Sequence, residues 1–118
     1  MKKLSFNCRG LASPAKKLSF KHMVDSIGPD VILLQEMMGD RDGVKSVQET
    51  LCSGWCFEAM DARGRLGGLA VGWRSWVFRC ENVWGFESGI GMELFSEELG
   101  KTFFVINIYG PYTNCVKY

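Results

Sequence analysis

Pro29-Asp30-Val31-Ile32-Leu33-Leu34-Gln35-Glu36 is the stretch on which the fold turns. Its apolar run is too short for a helix and is bounded by Asp30 and Glu36, which suits a strand buried on both faces. Upstream, Lys3 to Cys8 alternates, with Leu4, Phe6 and Cys8 on one side and Lys3, Ser5 and Asn7 on the other. That is a second strand pattern. Between the two, Ser13-Pro14 offers an N-cap and a proline for the first helical position. Phe20, Met23, Val24 and Ile27 then recur on one helical face, and Gly28-Pro29 stops the helix. Strand, helix, strand makes a βαβ-like opening with an expected right-handed crossover.

Downstream, a helix is expected from Gly43 to Cys52, with Val44, Val47 and Leu51 on its inner face. Short strands follow at close spacing: Trp55 to Met60, Leu69 to Trp73, Trp76 to Val83, Ile90 to Ser96 and Lys101 to Tyr109. In the last of these, Phe104, Ile106 and Ile108 face one way, and Phe103, Val105 and Tyr109 the other. A strand apolar on both faces must be covered on both. Two helices can cover one face of a sheet. The other is expected to stay bare, to pair with a copy or partner, or to belong to a domain cut short.

Composition sets outer bounds. The chain has 118 residues, 47% of them apolar, which is one small domain with a core. Fourteen basic and thirteen acidic residues leave a charge of +1, so no global basic field marks a nucleic-acid partner. Cys8, Cys52, Cys56, Cys80 and Cys115 include no second pair at zinc-like spacing, and His22 is the lone histidine. Free thiols in a reducing compartment are expected. The start has basic residues but no apolar stretch of a signal peptide, and no run approaches the ~18 residues of a membrane span. An intracellular, non-secreted protein away from membranes is expected, with the nucleus a candidate compartment.

Asn7 and Glu36 each close a run of strand. In a parallel pair both would stand at the carboxyl ends, where open α/β sheets place ligands. A carboxylate beside an amide suits Mg²⁺ shared with a substrate phosphate. The competing reading of Glu36 is merely the first solvated residue after a buried strand.

Leu4-Ser5-Phe6-Asn7-Cys8-Arg9-Gly10-Leu11 and Pro29 to Glu36 resemble the first two motifs of the endonuclease/exonuclease/phosphatase superfamily. The resemblance is closest to the endonuclease domain at the head of plant LINE-type retrotransposon polyproteins. Gly64-Arg65-Leu66-Gly67-Gly68-Leu69-Ala70-Val71 and Val105-Ile106-Asn107-Ile108-Tyr109-Gly110-Pro111 continue it in order. The resemblance implies that Glu36 binds a divalent metal, Mg²⁺ or Mn²⁺, and that Asn7 orients this carboxylate and the phosphate. It also implies that Tyr109 reaches the scissile phosphate and that DNA is the substrate, nicked by metal-assisted hydrolysis.

The sequence departs from the family pattern at Phe6, Met37 and Tyr112, and it carries no Asp-x-Asn or Asp-His pair. Residues 1–118 are therefore expected to be a truncated, inactive domain that binds metal weakly. The expected fold is α/β (α+β), the amino-terminal half of a four-layer αββα sandwich, with one mostly antiparallel sheet and helices on one face. A phosphatase or RNA-directed nuclease of the same superfamily, or a non-catalytic interaction module, are the alternatives. His22 should point at solvent. Gly64 to Gly72 reads as close backbone packing rather than a phosphate loop, and Trp55, Trp73, Trp76 and Trp84 as core or sheet-packing residues rather than base-stacking ones.

Overall fold

The computed structural model describes residues 1–8, 13–37, 47–51, 53–60, 68–86 and 89–108. The opening is strand β1 (Lys3–Asn7), helix α1 (Pro14–Ile27) and strand β2 (Val31–Met37), with β1 and β2 parallel. Ser13 caps α1, its hydroxyl accepting from the Lys16 backbone N–H at 3.2 Å. Gly28 ends it in the left-handed region (φ 62°), donating to the Val24 carbonyl at 2.8 Å. Both ends thus stop where local chemistry satisfies orphan backbone groups. Residues 47–50 are also helical, with Val47 and Leu51 buried. The remaining part of the helix expected from Gly43 lies outside the described residues.

The late strands are β3 (Trp55–Met60), β4 (Gly68–Arg74), β5 (Arg79–Phe86), β6 (Gly89–Ser96) and β7 (Lys101–Ile108). They do not join one sheet. β1-β2-β4-β3 form a four-stranded sheet and β5-β6-β7 a three-stranded one. The mixed α/β class and the sandwich architecture are as expected, whereas the single sheet is corrected to two. The physical reason lies in β2 and β4, whose side chains are apolar on both faces because each face meets a different layer. Ile32, Leu34 and Ala70 pack under Phe20 and Val24 of α1. Val31, Leu69, Val71 and Trp73 pack instead against Ile90, Met92, Leu94 and Val105 of the second sheet. Alternation shows that both faces need cover but not what covers them. A tight turn after Arg74, whose carbonyl accepts from Val77 and Phe78 at 3.1 Å, carries the chain from the first sheet to the second.

The apolar face left bare is consequently on the other side of the second sheet. Phe104, Ile106 and Ile108 are 67%, 50% and 62% exposed, and Trp84 and Phe86 of β5 lie on the same surface. Those two rings cover glycines: a Cβ at Gly91 would come within 2.5 Å of Trp84 and one at Gly89 within 2.7 Å of Phe86. Among the tryptophans, Trp73 is a core residue, Trp55 is half-buried, and Trp84 packs on the sheet surface. Trp76 departs from expectation. It is 65% exposed, in the turn between the sheets and within 5.3 Å of the Arg74 guanidinium.

Candidate active site at the strand ends

β2 does not end as a regular strand. Leu34 pairs with Ala70 and Met37 with Gly68, so Gln35 and Glu36 together stand opposite Leu69. This is a β-bulge, which bends a strand and re-aims its side chains. Under strict alternation position 36 would take the helix-facing side of Ile32 and Leu34. The extra residue passes that side to Met37, which is buried in the same cluster. Glu36 itself sits at φ 53°, the one non-glycine residue at positive φ among those described. Holding a glutamate there costs about 1–3 kcal/mol, a strain that persists only when the surroundings over-determine it.

Glu36 is also buried, 8% exposed. Asn7 closes β1 opposite Gln35, one register step from Glu36, so the two stand at the carboxyl ends of adjacent parallel strands. Cys8 follows directly, and its backbone N–H donates to the Gln35 carbonyl at 2.8 Å. Burial, and then the Glu36 carboxylate, push the Cys8 thiol up to about 12. Cys8 is thus held as the neutral thiol and is not a nucleophile. Tyr109 lies outside the described residues. His22 is exposed on α1, as its helical position implied.

A third strand end arrives at this place. Asn107 of β7 is 2% exposed and points between the sheets. Its Nδ2 donates to the Leu34 carbonyl and to the Ala70 carbonyl, both at 3.0 Å, and its Oδ1 accepts from Gln35 Nε2 at 3.0 Å. Gln35 Nε2 lies also 3.1 Å from Ser5 Oγ on β1. The sequence reading passed over Asn107 and Gln35 as site residues. Their signal is visible in hindsight: Asn107 interrupts the inward face that carries Phe103 and Val105, and a buried amide must find partners.

A buried carboxylate next to an amide supplies hard oxygen donors. Among the described residues no group of three or more His, Cys, Asp or Glu could hold a metal by itself. A lone carboxylate and amide would supply at most one side of a hard-cation sphere, not a closed cage.

With this geometry in view, the chain belongs to the Endonuclease/Exonuclease/phosphatase family, whose pattern matches residues 4–114. No curated protein matches it in sequence. Among solved structures it is similar to a humanized TDP2 of D. rerio, at TM-score 0.73 and 12% identity over 96% of this chain and 49% of that one. It is similar to ANGEL2, a 2′,3′-cyclic phosphatase solved with adenosine-2′,3′-vanadate, at TM-score 0.71 and 18% identity, covering 94% and 41%. It is also similar to the catalytic domain of Xenopus laevis APE2, at TM-score 0.64 and 19% identity, covering 94% and 45%. The chain spans less than half the length of each of these three. Among its described residues, no helix is long and apolar enough to cross a membrane.

Proposed function

We propose that residues 1–118 are the amino-terminal half of a divalent-metal-dependent phosphodiesterase domain, by resemblance a retroelement DNA endonuclease acting in the nucleus. The observation that carries this reading is the bulge that presents a buried, positive-φ Glu36 beside Asn7 at parallel strand ends. In this reading Glu36 is the carboxylate that holds Mg²⁺ or Mn²⁺, Asn7 orients that carboxylate and a substrate phosphate, and Tyr109 reaches the phosphate. The metal, when bound, stabilises charge on the phosphoryl and leaving oxygens. Glu36, Asn7 and Tyr109 fix where the phosphate lies. The sequence has no Asp-x-Asn or Asp-His pair to polarise water, so the 118-residue chain binds metal weakly and does not cut. A general acid–base group contributes ~10²–10⁴-fold, and coupled groups fail together. The test is Mn²⁺ binding followed by electron paramagnetic resonance, beside nicking of supercoiled plasmid. Weak binding abolished by Glu36→Gln, with no nicking, is expected. Binding untouched by Glu36→Gln would remove the site, and Glu36-dependent nicking would remove the inactivity.

A separate observation favours an interaction role for the same chain. The exposed Phe104, Ile106 and Ile108 lie on β7, an edge strand of its sheet among the described residues. Exposed apolar edge strands are templates for pairing with another chain. We infer self-association through this face, read by light scattering as a mass above that of one chain and lowered by Ile106→Lys.

A further inference from the structure

We propose that Asn107 is a positioning residue, whose carboxamide fixes the β2 bulge and thereby the backbone conformation in which Glu36 is presented. That Glu36 serves a metal rests on the reading above; the control of its conformation by Asn107 does not.

The chemistry at Asn107 admits one orientation. The carbonyl oxygens of Leu34 and Ala70 can only accept, so the NH₂ end must face them and its two protons are both spent there. Oδ1 is then left for a donor, and Gln35 Nε2 supplies it. Leu34 is the last β2 residue in regular register, and Gln35 is the first residue of the bulge. One amide, delivered from the opposite sheet, therefore grips the strand on both sides of the point where its register breaks. Leu34 and Ala70 are also register partners across β2 and β4, so the same group ties the two strands between which the extra residue is inserted. Through Gln35 and Ser5 the network extends to β1, two residues before Asn7.

Side chains of similar size cannot substitute. Aspartate would place a carboxylate against two carbonyl oxygens, and leucine would leave both carbonyls and the Gln35 amide without this partner in a buried place. A bulge without its clamp can slide by one residue, and a slip of one residue moves each side chain to the other face. For Glu36 that means the apolar side beneath α1.

The experiment uses the full 118-residue chain in two readouts. The first is the backbone chemical shifts of Glu36, which carry the signature of positive φ and need no metal. The second is Mn²⁺ affinity by electron paramagnetic resonance. Asn107→Ala should shift the Glu36 resonances towards extended values and weaken Mn²⁺ about 10–100-fold, the usual effect of losing a group that orients a metal ligand. Gln35→Met removes the bond that fixes the amide, together with the contact to Ser5, and leaves the two bonds to the Leu34 and Ala70 carbonyls; it should move both readouts the same way by less. It carries the test if Asn107→Ala does not fold. Val105→Ala loosens the same strand and the same inter-sheet core without touching the bulge, and should leave the Glu36 shifts in place. Glu36 resonances unchanged in Asn107→Ala, or in Gln35→Met where the former is unfolded, would overturn the proposal, as would an equal change in Val105→Ala. A wild-type chain that binds no Mn²⁺ but shows the expected shift changes would instead remove the metal reading and leave the positioning role standing.

Discussion

On the outer face of the four-stranded sheet, Ile32, Leu34 and Ala70 are closed to solvent beneath Phe20 and Val24 of α1. On the outer face of the three-stranded sheet, Phe104, Ile106 and Ile108 remain more than half or about half exposed. Both faces are built by the same alternation and the same kinds of side chain. What separates them is a helix with its own apolar stripe, set against one sheet, with no described helix set against the other. Apolar chemistry therefore states a demand for cover, and the demand can go unmet within the described residues. At ~25 cal/mol per Å² of apolar surface, several large wet side chains forfeit stabilisation comparable to the ~5–15 kcal/mol that keeps a domain folded.

The difference can be broken most directly with paired truncations. Phe20→Ala should cost about 3–5 kcal/mol in urea-induced unfolding, the usual effect of emptying a buried aromatic site. An unfolding midpoint close to wild type would show that α1 does not seal its face.

Alkali sharpens the comparison through the thiols. Cys8 lies in the helix-covered cluster and its pKa is pushed up to about 12, by burial first and then by Glu36. Burial also raises Cys80, which is only half-buried, at the second sheet. A thiol raised in the folded state binds its proton more tightly there than in the unfolded chain. The Cys8 contribution is thus fully present below the ordinary thiol value near 9, and is lost as pH rises towards 12, by up to about 1.4 kcal/mol per pH unit. In folded protein at pH 9, iodoacetamide should label Cys80 well before Cys8, as read by peptide mass spectrometry. Labelling of Cys8 first would contradict its burial.

A smaller effect is expected at the cap that starts the covering helix. Ser13→Ala removes the bond to the Lys16 N–H and should cost about 0.5–2 kcal/mol by thermal or urea unfolding. No change would mean that packing of Phe20 and Val24 alone sets the helix start.

The smallest change in stability belongs to the bare face. Phe104→Ala should alter unfolding by no more than about 0.5 kcal/mol, as exposed sites do, while lowering the mass seen by light scattering. A loss as large as that of Phe20→Ala, measured at a concentration where the chain is monomeric, would show that the face is covered within the chain itself.

Several parts of this molecule were legible residue by residue. Ser13-Pro14 and Gly28-Pro29 bracket α1 because capping depends on side chains and backbone freedom within a few positions. Trp55 to Met60 was readable to the residue, and Ile90 to Ser96 to within one. Trp76 to Val83 was not: the chain turns at Ser75 to Val77 and the strand begins at Arg79. An aromatic next to Arg74-Ser75 looks the same to a periodicity argument whether it starts a strand or sits in the turn before one. The polar end of β2 was readable, as Asn7 and Glu36 closing strand runs, but not the bulge, because an inserted residue leaves no mark in alternation until its partner strand is known.

By itself, the sequence determined which segments are strands and helix, which of their faces are apolar, and which polar residues stand at strand ends. These follow from local periodicity and capping, and from side-chain chemistry along a few turns of chain. Tertiary structure alone decided that the seven strands among the described residues divide between two sheets, and that the bare face belongs to the second. It also decided that Asn107 reaches across both sheets to the bulge at Glu36. Leu34 and Asn107 are 73 positions apart, and no local pattern records which buried carbonyl a distant amide will satisfy. That is settled only when the layers close and each polar group left inside must find a partner.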